Sequence, residues 1–251
     1  MKKYVVISTN NNPDYYIYAS FMERAWSNFG WSLCVMITHD VDPLNLHLSN
    51  PDTIIVRLPE IPGLRDATVA QTGRLYAANY LPMDALIMTC DMDLLPLKDY
   101  WKPEPGKVTI FGHDLTWRTY YPMGYIAMLG SDWWKYMNCT YDTAKDMLRD
   151  ANDTIVNGVK IAFSDKWEEW WNLDWQLVTN RLSPFKDQIV FIDRGQTKSG
   201  LAYGRVDRGA WEPTIKECET TEFIDAHLEN FNTQHPDKMS KFLSLFNRFH
   251  S

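Results

Sequence analysis

Asp91 and Asp93 stand one residue apart where a short apolar run, Ala85–Cys90, gives out inside Asp84–Leu97 (DALIMTCDMDLLPL). Two carboxylates so spaced offer hard oxygen ligands to Mg²⁺ or Mn²⁺, and a cation held that way completes its shell with water and with substrate phosphates. The spacing alone is weak, because the same pattern recurs at Asp40-Val41-Asp42. Either pair also has the plain reading of a solvated loop after a strand.

The elements that position these residues carry more information. Six uncharged, mostly apolar residues bounded by acidic ones predict a strand buried on both faces, as inside a parallel sheet. Before it, Tyr4–Ile7, Ser32–Thr38 and Thr53–Leu58 read as strands. Tyr15–Phe29 reads as a helix stopped by Gly30, and Val69, Gly73, Tyr76 and Tyr80 mark one face of another. Strand, helix, strand, strand, helix, strand predicts an α/β fold of three layers around a mainly parallel sheet. Ligand loops then gather at the carboxyl ends, which brings Thr9–Asn11, His39-Asp40 and Asp91-Met92-Asp93 to one rim. Neither G-x-G-x-x-G nor G-x-x-x-x-G-K-[ST] occurs, so a nucleotide there is held by polar side chains and a metal ion.

Composition narrows the partners. With 251 residues, 45% of them hydrophobic, and no low-complexity linker, the chain reads as one globular domain. Its 25 basic against 32 acidic residues argue against a nucleic-acid surface. The four cysteines form no C-x-x-C pair, and Cys34 and Cys90 fall in buried strands, which speaks against a zinc site or a disulfide framework. The start, MKKYVVISTN, has too short an apolar run for a signal peptide or a membrane span, and the expected setting is cytoplasmic.

A first strand ending in STNN, a second ending in THD, a helix carrying Arg74 and a buried strand ending in CDMD together resemble the nucleotide-sugar glycosyltransferases of the GT-A fold. The resemblance implies that Asp91 and Asp93 chelate Mn²⁺ or Mg²⁺ on the donor diphosphate, with Met92 beside the ribose. It further implies that Thr9, Asn10, Asn11 and Asp40 hold the base and ribose, Asp42 being ordinary loop, and that Arg74 reaches the donor phosphates or sugar. The other reading of Arg74 is a surface residue paired with a neighbouring carboxylate.

In the second half, Lys107–Gly112 and Pro122–Leu129 read as strands, Gly124 permitting close approach to a ligand. Ser131 or Asp132 is expected to cap a helix with the stripe Trp133, Met137, Tyr141, Ala144 and Leu148. Sugar C–H faces stack on aromatic rings, and Trp117 and Trp170 are the candidates for acceptor contact among two aromatic-rich segments whose remaining rings serve the core. Asn172–Val178 predicts a helix start with Asp174 and Gln176 near its amino end. It resembles the element that GT-A enzymes place beside the reacting carbon, although Trp175 separates the two residues and leaves the stereochemistry open. Asp174 also reads as a helix cap. After the strand Gln188–Asp193, His227 is the histidine that the resemblance implies as a further metal ligand, a mixed set suited to Mn²⁺. The tail Met239–Phe249 carries Met239, Phe242, Phe246 and Phe249 on one helical face, for packing or for a peripheral membrane contact.

The expectation is therefore a GT-A domain spanning the chain: residues 1–100 a nucleotide-binding half, 101–235 an acceptor-binding half, and 236–251 a C-terminal helix. Its reaction is transfer from a UDP-sugar to a glycan or glycoconjugate hydroxyl. The rivals are a non-catalytic carbohydrate-binding protein of the same fold and a sugar-1-phosphate nucleotidylyltransferase. The latter normally opens on a Gly-rich basic loop, which Ser8–Pro13 lacks.

Overall fold

The computed structural model of the chain describes residues 1–112, 120–139, 146, 155–156, 159–160, 173–193, 205–206, 223–228 and 236–250. Its first strand, β1 (Lys3–Thr9), shows why three layers form. Val5 and Ile7 join one buried apolar cluster while Tyr4 and Val6 join another, as the two-residue period of a strand demands. Both faces must then be covered.

In chain order there follow α1 (Pro13–Tyr16), α2 (Ala19–Asn28), β2 (Ser32–Ile37), β3 (Ile54–Arg57), α3 (Asp66–Gly73), β4 (Leu86–Thr89) and β5 (Leu94–Pro96). Next come β6 (Val108–Phe111), β7 (Ile126–Leu129), α4 (Gly130–Tyr136), the hairpin strands β8 (Ile155–Val156) and β9 (Val159–Lys160), and α5 (Leu173–Leu182). The described chain closes with β10 (Ile189–Ile192), β11 (Arg205–Val206), β12 (Asp225–His227) and α6 (Pro236–His250).

The central sheet has the order β10-β6-β7-β4-β1-β2-β3, and β7 runs antiparallel to both its neighbours while the other pairings are parallel. From β1 the chain moves outward through β2 to β3 and returns as β4 on the other side. The carboxyl ends of β1 and β4 thus flank the point where strand order reverses, the place where open α/β sheets bind ligands. In a second sheet, β11-β12-β5, the pairing of β12 on β5 is extended by Leu228 N–H to Asp93 O (2.7 Å) and Leu97 N–H to Ile224 O (2.8 Å).

α2 and α6 cover one face of the central sheet, and α3, α4 and α5 the other. Phe242 and Phe246 of α6 are 0% and 2% exposed and meet Phe21 edge-on at 4.8 and 5.0 Å. The apolar face considered for a membrane contact is therefore packed against α2 inside the protein. No helix among the described residues is long and apolar enough to cross a membrane.

Several boundaries differ from the sequence expectation. The helix over Tyr15–Phe29 is two helices, because Asn12 accepts from Asp14 N–H (3.0 Å) and, with Pro13 behind it, starts a single turn that closes at Ile17. The helix bearing Tyr76 and Tyr80 tightens into 3-10 turns over Arg74–Asn79. Strand β7 begins only at Ile126, so Gly124 lies in the turn before it. Helix α4 starts at Gly130 without a side-chain cap and stops before Asn138, whose φ of 57° is left-handed. Trp133 and Met137 are buried as expected, while Tyr141, Ala144 and Leu148 lie outside the described residues.

Candidate active site

Strand β4 ends on Thr89, and the segment after it is fixed from both sides. Cys90 N–H continues the ladder to Val6 O (2.8 Å), and Leu94 N–H returns to Asp91 O (3.2 Å), so Asp91-Met92-Asp93 forms the tight step from β4 to β5. The buried Thr89 hydroxyl donates to Met123 O (3.1 Å) and accepts from Ile126 N–H (3.2 Å). That pair of bonds holds the Met123–Ile126 turn against the step, and Gly124 makes the approach possible: a Cβ there would stand 2.9 Å from Leu94 Cδ1 and 3.8 Å from Asp91 Oδ2.

Arg74 is not a surface residue. It is 6% exposed, and its guanidinium donates to Cys90 O (3.1 Å), to Asp91 Oδ1 and to Asp174 Oδ2 (2.5 Å), joining positions 17 and 100 residues away. Burial would weaken its hold on the proton, but the charges of Asp91 and Asp174 outweigh that and raise its pKa. Asp174, in the first turn of α5, is fully buried, and its second oxygen accepts Trp175 N–H (2.9 Å). Burial pushes its carboxyl up to about 6 against the opposing pull of Arg74, since one guanidinium shared by two carboxylates leaves part of the negative charge unbalanced. Gln176 is 7% exposed on the same helical turn.

The antiparallel register of β12 on β5 sets His227 opposite Leu94, and its Nε2 lies 3.4 Å from Asp93 Oδ2. Asp93 is 6% exposed. Met92 is 3% exposed and belongs to the apolar cluster beneath the rim. Two residues before His227, the fully buried Asp225 takes a forked ion pair from Arg205, with Nε to Oδ1 at 2.9 Å and Nη2 to Oδ2 at 2.6 Å. Sequence reading missed Arg205, Asp225 and Thr89. The alternation Asp225-x-His227 was a usable hint for one of them, and nothing local marks Arg205.

On the other side of the switch point, Thr38 N–H binds Thr9 O (3.1 Å), tying the ends of β1 and β2. Thr9 is buried, Asn10 half-buried and Asn11 exposed. Asp40 is exposed and accepts from the Thr38 hydroxyl (2.5 Å), whereas Asp42 caps the Pro43–Leu46 turn by accepting Leu44 N–H (3.0 Å), the ordinary loop role expected of it. Arg57 pins this loop through His39 O (2.7 Å) and Val41 O (3.0 Å).

Among the described residues, His39, Asp40 and Asp66 have ligand atoms within 4.8 Å of one another. Burial and then the Asp40 charge raise the Asp66 carboxyl, against His39. Asp91, Asp93 and His227 do not close to that spacing, for Asp91 is turned onto Arg74. Trp117 and Trp170 lie outside the described residues.

A mostly parallel seven-stranded sheet with one antiparallel strand, covered on both faces by helices, defines the fold, and solved structures share it. The chain has the GT-A-type fold found in glycosyltransferases. The galactosyltransferase LgtC, solved with donor and acceptor sugar analogues, matches 99% of this chain and 96% of its own with a TM-score of 0.54 at 11% identity. An active-site mutant of LgtC in which glutamine becomes glutamate matches over 96% and 95%, with a TM-score of 0.52 at 11% identity. The glycosyltransferase GlyE of Streptococcus pneumoniae TIGR4 matches 98% of this chain and 63% of its own, with a TM-score of 0.52 at 11% identity. No protein-family model and no curated protein sequence matches the chain.

Proposed function

We propose that this protein is a divalent-cation-dependent glycosyltransferase that takes its sugar from a nucleoside diphosphate, UDP above all, and passes it to a hydroxyl of a glycan or glycoconjugate. The observation that carries the reading is Arg74, buried and holding Asp91 and Asp174 together at the switch point of a GT-A-type sheet. Asp91, Asp93 and Asp174 against that single guanidinium leave two formal negative charges, taking His227 as neutral, which suits a divalent cation bound to a diphosphate. Carboxylate and imidazole together suit Mn²⁺, or Mg²⁺: Asp93 and His227 already face each other at 3.4 Å, and Asp91 would complete the set by turning from Arg74. When bound, that ion supplies Lewis acidity to the departing diphosphate.

The chain's own groups do the rest. Asp174 has both oxygens engaged, so it acts by aiming Arg74, whose charge lies where negative charge gathers on the leaving group. Gln176, on the same turn, offers an amide toward the acceptor side or the oxocarbenium face. LgtC has a glutamine in its active site as well, which supports that role. Thr9, Asn10, Asn11 and Asp40 line the nucleotide rim, with Met92 beneath it and Gly124 leaving room beside Asp91. We read the whole chain as one catalytic domain with two functional halves and a packed C-terminal helix, Trp117 and Trp170 meeting the acceptor. Cys34, Cys90 and Cys139, all free and buried, suit a reducing cytoplasmic setting.

Titration calorimetry with UDP, with and without Mn²⁺, tests the reading. Binding that requires Mn²⁺ and is lost in Asp93→Ala, with the melting temperature kept, supports it; UDP binding indifferent to metal and to Asp93 removes it. A panel of nucleotide sugars with Mn²⁺, scored for release of nucleoside diphosphate, then identifies the donor.

A further inference from the structure

The Arg205–Asp225 pair is a buried, two-pronged ion pair beside the candidate active site, and the proposed transfer makes no use of it. With Asp225 fully buried and Arg205 16% exposed, the pair is weak evidence of a stabilising role, because desolvation offsets much of the attraction. Its placement says more. Asp225 and His227 are two apart on β12 and so project from the same face of the small sheet, roughly 7 Å apart along the strand. Arg205 stands directly opposite Asp225 in the parallel register of β11 on β12. Among the described residues β11 pairs with β12 through Arg205 and Val206, and the fork adds two charge-assisted side-chain bonds to that pairing. On its other side β12 is registered by Asp225 on Pro96, Ala226 on Leu95 and His227 on Leu94, which leads directly to Asp93. Burial would weaken the hold of Arg205 on its proton, but the charge of Asp225, and after it Tyr125 and Asp91, outweighs that.

We propose, building on the glycosyltransferase reading, that Arg205 is a positioning residue for the cation side of the donor site: its fork on Asp225 locks β12 so that His227 faces Asp93. Asp225, with its oxygens drawn toward Arg205, is thereby kept from competing as a ligand on the same face as His227. Asp93 and His227 are left facing each other, with Asp91 to join them on turning from Arg74.

The test is Mn²⁺ titration followed by the electron paramagnetic resonance signal of the free ion, with and without UDP. It is run on wild type, Arg205→Lys, Arg205→Met and Asp225→Asn, and the melting temperature of each cation-free protein is recorded. Loss of a group bonded directly to a metal ligand weakens affinity by roughly 10- to 100-fold; Arg205 and Asp225 act on His227 through the strand, so a loss at the lower end, about 10-fold, is expected in Arg205→Met and Asp225→Asn. Arg205→Lys keeps the charge but not the fork and is expected to fall between these and wild type. UDP affinity measured at saturating Mn²⁺ should return to the wild-type value in Arg205→Lys, since the β1 and β2 loops are untouched; a merely structural role would lower melting temperature without moving the Mn²⁺ curve. Mn²⁺ affinity equal to wild type in Arg205→Lys and Asp225→Asn overturns the proposal, and those two variants decide it even if Arg205→Met does not fold. A wild-type protein that binds Mn²⁺ no better with UDP than without overturns the underlying glycosyltransferase reading instead, before any variant is made.

Discussion

The two sides of the switch point are built on different principles. On the rim formed by the β1 and β2 loops, Thr9, Asp40 and Asp42 bond to neighbours one or two residues away, and Asn11, His39 and Asp40 are open to water. Around Arg74 the partners are 17 and 100 residues off, and Arg74, Asp93, Asp174 and Asp225 are 6% exposed or less. Local loops are cheap to form and easy to vary, whereas a buried charge network exists only when the whole fold has closed around it. The difference predicts that stability is concentrated on one side and adjustable recognition on the other.

Breaking the buried side should produce the largest effect. Removing one partner of a buried ion pair leaves the other uncompensated, so Arg74→Met is expected to lose about 3–5 kcal/mol in urea unfolding. A loss under about 1 kcal/mol, the range of exposed pairs, would show that the two sides do not differ as described.

Asp174→Asn sharpens the comparison through pH. Its folded pKa of about 6 lies above the ordinary 3.8, so the folded protein takes up the proton first. The stability this gives is fully present below about pH 4 and is lost as the pH rises through about 6. The gap in urea midpoint between wild type and Asp174→Asn should therefore change across that window and be flat above it; a constant gap would contradict the burial of a charged Asp174.

A smaller effect of opposite sign is expected at His250, at the end of α6. It is 1% exposed, and its Nε2 lies 2.8 Å from Pro96 O. Burial lowers its pKa below 6.5, the Pro96 carbonyl opposing and Arg24 adding to the effect. The unfolded chain is then protonated first, so stability falls as the pH drops below about 6.5, and His250→Gln should remove that acid-side slope from the urea midpoints.

The exposed rim should respond least in stability. Asp40→Ala is expected to shift unfolding by no more than about 0.5 kcal/mol, as surface substitutions do. Calorimetry should nonetheless find weaker UDP binding in that variant. Unchanged affinity would take Asp40 out of the nucleotide site.

Much of the fold was legible because strands announce themselves locally. Ala85–Cys90, Ser32–Thr38 and Thr53–Leu58 each fall within a residue or so of β4, β2 and β3, since apolar runs bounded by polar loops need no partner to be recognised. The helices were read less well. Asn12-Pro13 carried a start signal that divides the first helical stretch, and the tightening at Arg74 answers to packing rather than to periodicity. In the candidate site, the acidic step was marked by its place at the end of a buried strand, while His227 was implied only by the family resemblance. The surface reading of Arg74 failed because burial of an arginine depends on carboxylates that lie far away in sequence.

From residue order alone came the alternation of buried strands, the direction in which they run, and hence the rim on which Thr9, Asp40 and Asp91 must meet, because apolar periodicity and chain connectivity act over a few residues at a time. Tertiary structure alone decided which charges share Arg74, how Arg205 grips Asp225, and that the face of α6 turns inward to Phe21. Those are pairings between segments brought together by the closing of both layers, and electrostatic energy in a buried site depends on distance and desolvation, neither of which is written in spacing along the chain.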